Sequence, residues 1–255
     1  MVEHNNPFFE TAFKKIEFNR KFPLIDYYRK VAAKEDRPHL KSASRIQDEL
    51  HGQYVDLCLI LDRINEHIEN WNVEGAAFNK LASGEDSKEV RDIFNEAQER
   101  SKKDYLNLDI RVFFIFMNSF MDRVPLLIKS YFVSQSLPAH RSYSRFLSSL
   151  DKFSGKDIEK VKTLIASTKA WFPYVKEARD DYIIHQYSAR GISHGRTGVA
   201  STTLTSKKKG GMSIIQTDTK FIEFLYDRLY FFLTELNDYL VSNADVAPFK
   251  DIEKI

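Results

Sequence analysis

The sequence predicts an all-α protein: an up-and-down helical bundle with one small β-hairpin or loop insertion near residues 188–216. Three observations carry this expectation. Glycine supplies 9 and proline 7 of the 255 residues, too few for the tight turns of sandwiches, barrels or Gly-rich nucleotide-binding sheets. Hydrophobic residues make up 43% and charged residues 29%, the balance of a globular chain long enough to bury a core. Apolar residues also recur in steps of three and four over much of the chain, the period of a helix with one buried face. Phenylalanine is abundant, at 20 residues, so the core is expected to be rich in aromatic rings.

The elements follow in order. Asn6-Pro7 reads as a helix start, with Pro7 near the first helical position. Phe8, Phe9, Phe13, Ile16 and Phe18 then recur at roughly helical spacing. Pro23 opens a second short helix to about Ala33, and Arg37-Pro38 ends that region. Ser42 or Ser44 is expected to cap a long amphipathic helix over 44–71, whose apolar face is Ile46, Leu50, Tyr54, Leu57, Ile60, Leu61, Ile64 and Ile68. Residues 72–100 are mixed, with a loop signal at Ser83-Gly84-Glu85-Asp86 and a short helix from Lys88.

Residues 103–133 form the longest helical candidate, about 45 Å at 1.5 Å per residue, apolar on most faces in its middle. Pro125 is expected to kink it. Ser136–His140 is a connection and Ser142–Leu150 a short helix. Ser154-Gly155 precedes a helix with Ile158, Val161, Leu164 and Ile165 on one face. Pro173 separates it from, or bends it into, a helix running to about Tyr187.

The character changes at Ser188. Five of the nine glycines follow within a few turns: Gly191, Gly195, Gly198, Gly210 and Gly211. Thr202–Ser206 and Met212–Gln216 are rich in β-favouring types and flank Lys207-Lys208-Lys209-Gly210-Gly211. That pattern reads as a hairpin with a basic tip, or else a disordered loop. Thr217 or Asp218 caps a last strong helix with the face Phe221, Phe224, Leu225, Leu229, Phe232, Leu233, Leu236 and Leu240. The organisation expected is an N-terminal helical extension over 1–43 and a helical bundle over 44–255.

Composition excludes several classes. The balance of 38 basic against 36 acidic residues, +2, leaves room for a local basic patch but not for a strongly basic nucleic-acid coat. The single cysteine, Cys58, excludes an internal disulfide and any multi-cysteine zinc site, and fits a reducing cytosol. Met1–Asn6 is polar and lacks the layout of a signal peptide. The most apolar run, Val112–Met121, is about half the ~20 residues of a membrane span. A cytoplasmic protein without a membrane partner is expected.

Several chemical motifs fail in context. Gly191-Ile192-Ser193-His194-Gly195 spells a hydrolase nucleophile elbow, but no strand-turn-helix alternation surrounds it. Two-metal bundles need paired Glu-x-x-His units, and only Asp48-x-x-His51 approaches that spacing. Neither an H-E-x-x-H nor a phosphate-binding Gly-rich loop is present, so no metal and no cofactor are expected. Ser206-x-x-Lys209 reads as a basic turn rather than an acyl-enzyme motif. The aromatic and basic mixture from Phe8 to Lys30 reads as two amphipathic helices rather than a base-stacking surface.

One constellation survives. Lys176-Glu177-Ala178-Arg179-Asp180-Asp181-Tyr182-Ile183-Ile184-His185-Gln186 ends a predicted helix. Arg179 and His185 stand about 120° apart around such a helix, with Tyr182 between them, so they flank a groove that a second copy across a two-fold axis completes. An imidazole exchanges protons near neutrality, which suits a ribose 2′-hydroxyl. A guanidinium is permanently charged and forked, which suits the charge developing on a phosphate.

Arginine, a polar residue, then histidine after five intervening residues resembles the motif of the HEPN superfamily. Arg45 to His51 repeats the spacing, but Ile46 stands where a polar residue is expected. The resemblance covers the motif and a bundle-like pattern over 44–242. It implies a helical bundle, often dimeric, and in many members a metal-independent ribonuclease of toxin–antitoxin, phage-defence or CRISPR systems. By that resemblance His185 is the acid/base, Arg179 the phosphate stabiliser, and Asp180 and Tyr182 orienting groups. Arg190, His194, Arg196, Lys207, Lys208 and Lys209 would form a phosphate-binding arm, with the bland alternative of a solvated loop or dimer arm. The implied partners are a second copy, RNA and an antitoxin-type protein. Two other readings stay open: a non-catalytic HEPN-like binding module, such as a nucleotidyltransferase partner or sensor, and a helical scaffold without an active site.

Overall fold

A computed structural model describes residues 14–32, 38–100, 103–131, 142–152, 159–180, 192–194, 200–208 and 211–243. Helices account for most of these residues. In chain order they are α1 (Ile25–Ala32), α2 (Pro38–Ala82), α3 (Lys88–Arg100), α4 (Lys103–Tyr131), α5 (Tyr143–Ser148), α6 (Glu159–Ser167), α7 (Phe172–Glu177) and α8 (Thr219–Ser242). Between α7 and α8 lie β1 (Ile192–His194), β2 (Ala200–Lys208) and β3 (Gly211–Asp218), antiparallel in the order β1-β2-β3. The register sets Ser201 against Asp218 at one end of the β2–β3 pair and Lys208 against Gly211 at the other.

Two expectations about the first helices are corrected. Ile16 and Phe18 are not helical: residues 14–20 have no regular structure. Ile16 is buried, and the side chain of Asn65 takes both its backbone groups, accepting from its N–H at 2.8 Å and donating to its carbonyl at 2.9 Å. A polar side chain on α2 thus does what the next helical turn would have done. The second correction concerns α2, which spans 38–82 rather than 44–71. Pro38 opens this helix at a position where its missing N–H costs nothing. Ser42 and Ser44 lie inside it rather than at its start. The helix runs on past Trp71 because Trp71 and Ala77 are buried. It ends at Gly84, whose φ of 90° is easy only for glycine. Gly84 N–H donates to the Leu81 carbonyl and Glu85 N–H to the Lys80 carbonyl, which is a Schellman stop.

The other helices follow from their stripes. Leu50, Tyr54, Leu57, Ile60, Leu61, Ile64 and Ile68 of α2 are all buried. α4 buries Leu106, Ile110, Phe113, Phe114, Met117, Phe120, Met121, Val124, Leu127 and Ile128, leaves Leu108 and Ile115 exposed along one stripe, and continues through Pro125. α5 starts at Ser142, whose hydroxyl accepts from Arg145 N–H. α8 buries Ile222, Leu225, Leu229, Phe232, Leu233, Leu236 and Leu240. Phe224, expected on that face, is instead 40% exposed. Asp218 caps α8 by accepting from Phe221 N–H at 2.7 Å. Asp218→Ala is expected to cost about 1 kcal/mol in urea unfolding, since a donor at the first turn then loses its partner. A loss below about 0.3 kcal/mol would show that water replaces the cap.

Contacts divide the chain into two interleaved units. One comprises residues 1–18, 59–113 and 178–224; the other comprises 19–58, 114–177 and 225–255. The second unit is built around buried tyrosines. Tyr143 is fully buried, its hydroxyl 2.9 Å from that of Thr168 and its N–H donating to Asp122 Oδ1 at 2.7 Å. Its ring meets Phe172 edge-on at 4.8 Å. Tyr54 and Tyr226 both direct their hydroxyls at the Asn19 carbonyl, and the buried thiol of Cys58 lies 3.6 Å from the Tyr226 hydroxyl. Burial pushes all three tyrosine hydroxyls well above their ordinary range. In Tyr226 the bond with Tyr54 adds to this, while in Tyr143 the bond with Thr168 opposes it.

Candidate functional site

Arg179 and Asp180 follow α7 directly, in a short π-helical turn over 178–180. Such turns widen a helix by one residue and re-aim the side chains they carry. Val175 and Ala178 are buried and anchor the inner side, while Arg179 and Asp180 are each about a quarter exposed. Arg179 donates from Nε to Asp180 Oδ1 at 2.7 Å, and its Nη2 stands 2.6 Å from the same oxygen. The result is a guanidinium held in one orientation by its own neighbour.

The rest of the expected site is placed only in part. Tyr182, His185, Arg190, Arg196 and Lys209 lie outside the described residues, as does the stretch of the motif helix expected to reach Tyr187. His194 ends β1 and pairs with Ala200 at the start of β2. Lys207 and Lys208 end β2, opposite Met212 and Gly211. At about 3.3 Å per residue, β2 sets Lys207 roughly 23 Å and Lys208 roughly 26 Å from the level of His194. The backbone therefore does not gather these three basic residues into one patch.

A second polar cluster, which sequence reasoning missed, lies in the same unit as Arg179. Asp109 of α4 is fully buried. His67 Nε2 stands 3.1 Å from its Oδ2. Arg63 Nη2 stands 2.8 Å from its Oδ1, an ion contact without hydrogen-bond alignment. Because a carboxylate only accepts, Nε2 is the donor in this contact. Nδ1 is buried and has no hydrogen-bond partner among the described residues. Tyr105 stacks on the imidazole, with ring centroids 6.4 Å apart and planes 12° from parallel. One sequence signal existed: Arg63 and His67 are four apart and share a face of α2. Asp109 comes from another helix, and nothing local announces it. Chemically the cluster is an oriented imidazole on a buried anion, an arrangement as useful for locking α2 to α4 as for taking a proton.

The second unit holds a pocket of about 490 Å³ between α6 and α8, lined by Lys160, Thr163, Ser167, Glu235, Asp238 and Tyr239 among others. Lys160 Nζ stands 5.8 Å from the centre of the Tyr239 ring, at cation–π range. Among the described residues no three His, Cys, Asp or Glu side chains are grouped to hold a metal ion, and no helix is long and apolar enough to cross a membrane. The fold and site define a mostly helical chain carrying a clamped arginine on a π-turn. Comparison of the chain with family models, with curated proteins and with solved structures gives no match.

Proposed function

We propose that the chain is a HEPN-like, metal-independent endoribonuclease that acts as a homodimer, in a toxin–antitoxin or phage-defence setting. The proposed architecture is an up-and-down bundle with the β1–β3 segment inserted between the motif and the last helix. The observation that carries the reading is the Arg179–Asp180 pair on its π-turn. An arginine fixed in orientation by an adjacent carboxylate suits a phosphate in flight better than a freely rotating one. In the proposed reaction His185 takes the proton of a ribose 2′-hydroxyl. The 2′-oxygen attacks the adjacent phosphorus while Arg179 stabilises the added charge. The bond to the 5′-oxygen breaks, and the proton passes by way of the imidazole to that leaving oxygen. The products are a 2′,3′-cyclic phosphate and a 5′-hydroxyl end.

His185→Ala is expected to reduce RNA cleavage by about 10²–10⁴, the usual worth of an acid/base group, while leaving the melting temperature almost unchanged. Cleavage that persists in this variant, or that stops with EDTA, overturns the mechanism. One observation favours a second reading. Two nitrogens of Arg179 already engage a single carboxylate oxygen, as in an ion pair that serves assembly. On this second reading the chain is a non-catalytic HEPN-like module. It predicts purified protein that leaves RNA intact but forms a stable complex with a nucleotidyltransferase-type or antitoxin-type partner.

A further inference from the structure

The outer face of α8 carries a row that is its own complement when reversed. Lys220, Phe224, Asp227, Arg228, Phe231 and Glu235 are all exposed, Phe224 by 40% and Phe231 by 57%. At 100° per residue the six fall within about 50° of one line along the helix. They are also arranged symmetrically about the midpoint between 227 and 228. Asp227 and Arg228 flank that point. Phe224 and Phe231 lie about 5 Å to either side of it, and Lys220 and Glu235 about 11 Å. Turning the helix end for end therefore brings Phe onto Phe and each charge to the level of its opposite.

We infer that this face docks onto the same face of a second copy, in an antiparallel pairing of two α8 helices across a two-fold axis. A two-fold interface must be self-complementary, whereas an interface with an unrelated partner has no need to be. Two exposed phenylalanines one heptad apart, on a helix whose other side is already buried, form the apolar centre. Asp227 balances Arg228, and Lys220 opposes the partner's Glu235, so no net charge is trapped in the seam. A seam of one helix per copy covers less than the roughly 1,600 Å² of a standard interface, so a weak, reversible dimer is expected.

The pairing rests on the geometry of one continuous helix. It shares with the ribonuclease reading nothing beyond an expected two-fold assembly. An α8 dimer that leaves RNA intact keeps this inference and removes that reading.

The experiment is sedimentation of the full chain at concentrations up to about 100 µM, beside three variants. Phe231→Glu is expected to weaken the dimer at least about tenfold with the melting temperature of the monomer kept. Lys220→Glu faces a partner carboxylate and weakens it too, and adding Glu235→Lys to the same chain restores the dimer. A chain that stays monomeric throughout overturns the inference. So does a dimer that survives Phe231→Glu, or one whose strength ignores the charge reversal and its rescue.

Discussion

Replacing Asp109 with alanine is expected to lower the unfolding free energy by about 3 kcal/mol, the low end of what breaking a buried ion pair costs. The carboxylate is fully buried and holds two partners from α2. Without it the His67 imidazole, only 14% exposed, loses the acceptor on Nε2 while Nδ1 stays unpartnered. Arg63 suffers less, because its side chain is 55% exposed and water replaces the lost anion. That difference keeps the expectation from the upper end of the range. His67→Leu made with Asp109→Leu is expected to recover part of the loss, since two apolar groups leave no stranded polar atom. Urea unfolding of the single and double variants measures the coupling. A single Asp109→Ala loss under about 1 kcal/mol would mean that water reaches the carboxylate and that the cluster locks nothing.

Alkali is expected to unfold this protein steeply. Tyr54, Tyr143 and Tyr226 are held above the ordinary tyrosine value of 10.0 by burial. In the unfolded chain the same hydroxyls ionise near that ordinary value. The folded state thus binds more protons than the unfolded one once the pH passes 10. The contribution of these groups is complete below pH 10 and is lost as the pH climbs towards the folded values. Three such groups give a slope that approaches roughly 4 kcal/mol per pH unit. Tyrosinate absorbance is expected to show a late step that coincides with loss of helical circular dichroism. Tyr143→Phe, which removes the most enclosed hydroxyl, should cut the slope by about a third. A smooth titration of all tyrosines ahead of unfolding would falsify the claim that these hydroxyls are sealed.

Helical content was legible because burial on one face imposes a period. Leu50 to Ile68 and Leu225 to Leu240 were read from spacing alone and are buried. The starts at Ser142 and Asp218 and the stop at Gly84 were legible for a related reason: their hydrogen bonds join residues three to five apart. Propensity misled where a distant group intervened. Ile16 and Phe18 continue a helical spacing, yet the side chain of Asn65 takes both backbone groups of Ile16; Phe8, Phe9 and Phe13 lie outside the described residues. Arg37-Pro38 looked like an ending, yet proline serves equally at a first helical turn, and the chain beyond it had the core contacts to continue.

The candidate site divides in the same way. The spacing of Arg179, Asp180, Tyr182 and His185 was visible in one dimension, and the residue types named a chemistry. Asp180 is named there as an orienting group without a partner fixed for it; the structure pairs it with the adjacent Arg179 and sets both in π-helical backbone, which no residue spacing displays.

From its order of residues alone this chain declared mostly helical elements, their inner faces, most of their ends and one arginine–histidine motif. These are consequences of contacts within a few residues, which sequence displays directly. The fold alone decided that Asp109 meets Arg63 and His67, that three tyrosine hydroxyls are sealed away, and that Phe224 faces outward. Each of those depends on segments far apart in the chain, or on which side of a helix its neighbours cover, and no local period encodes that.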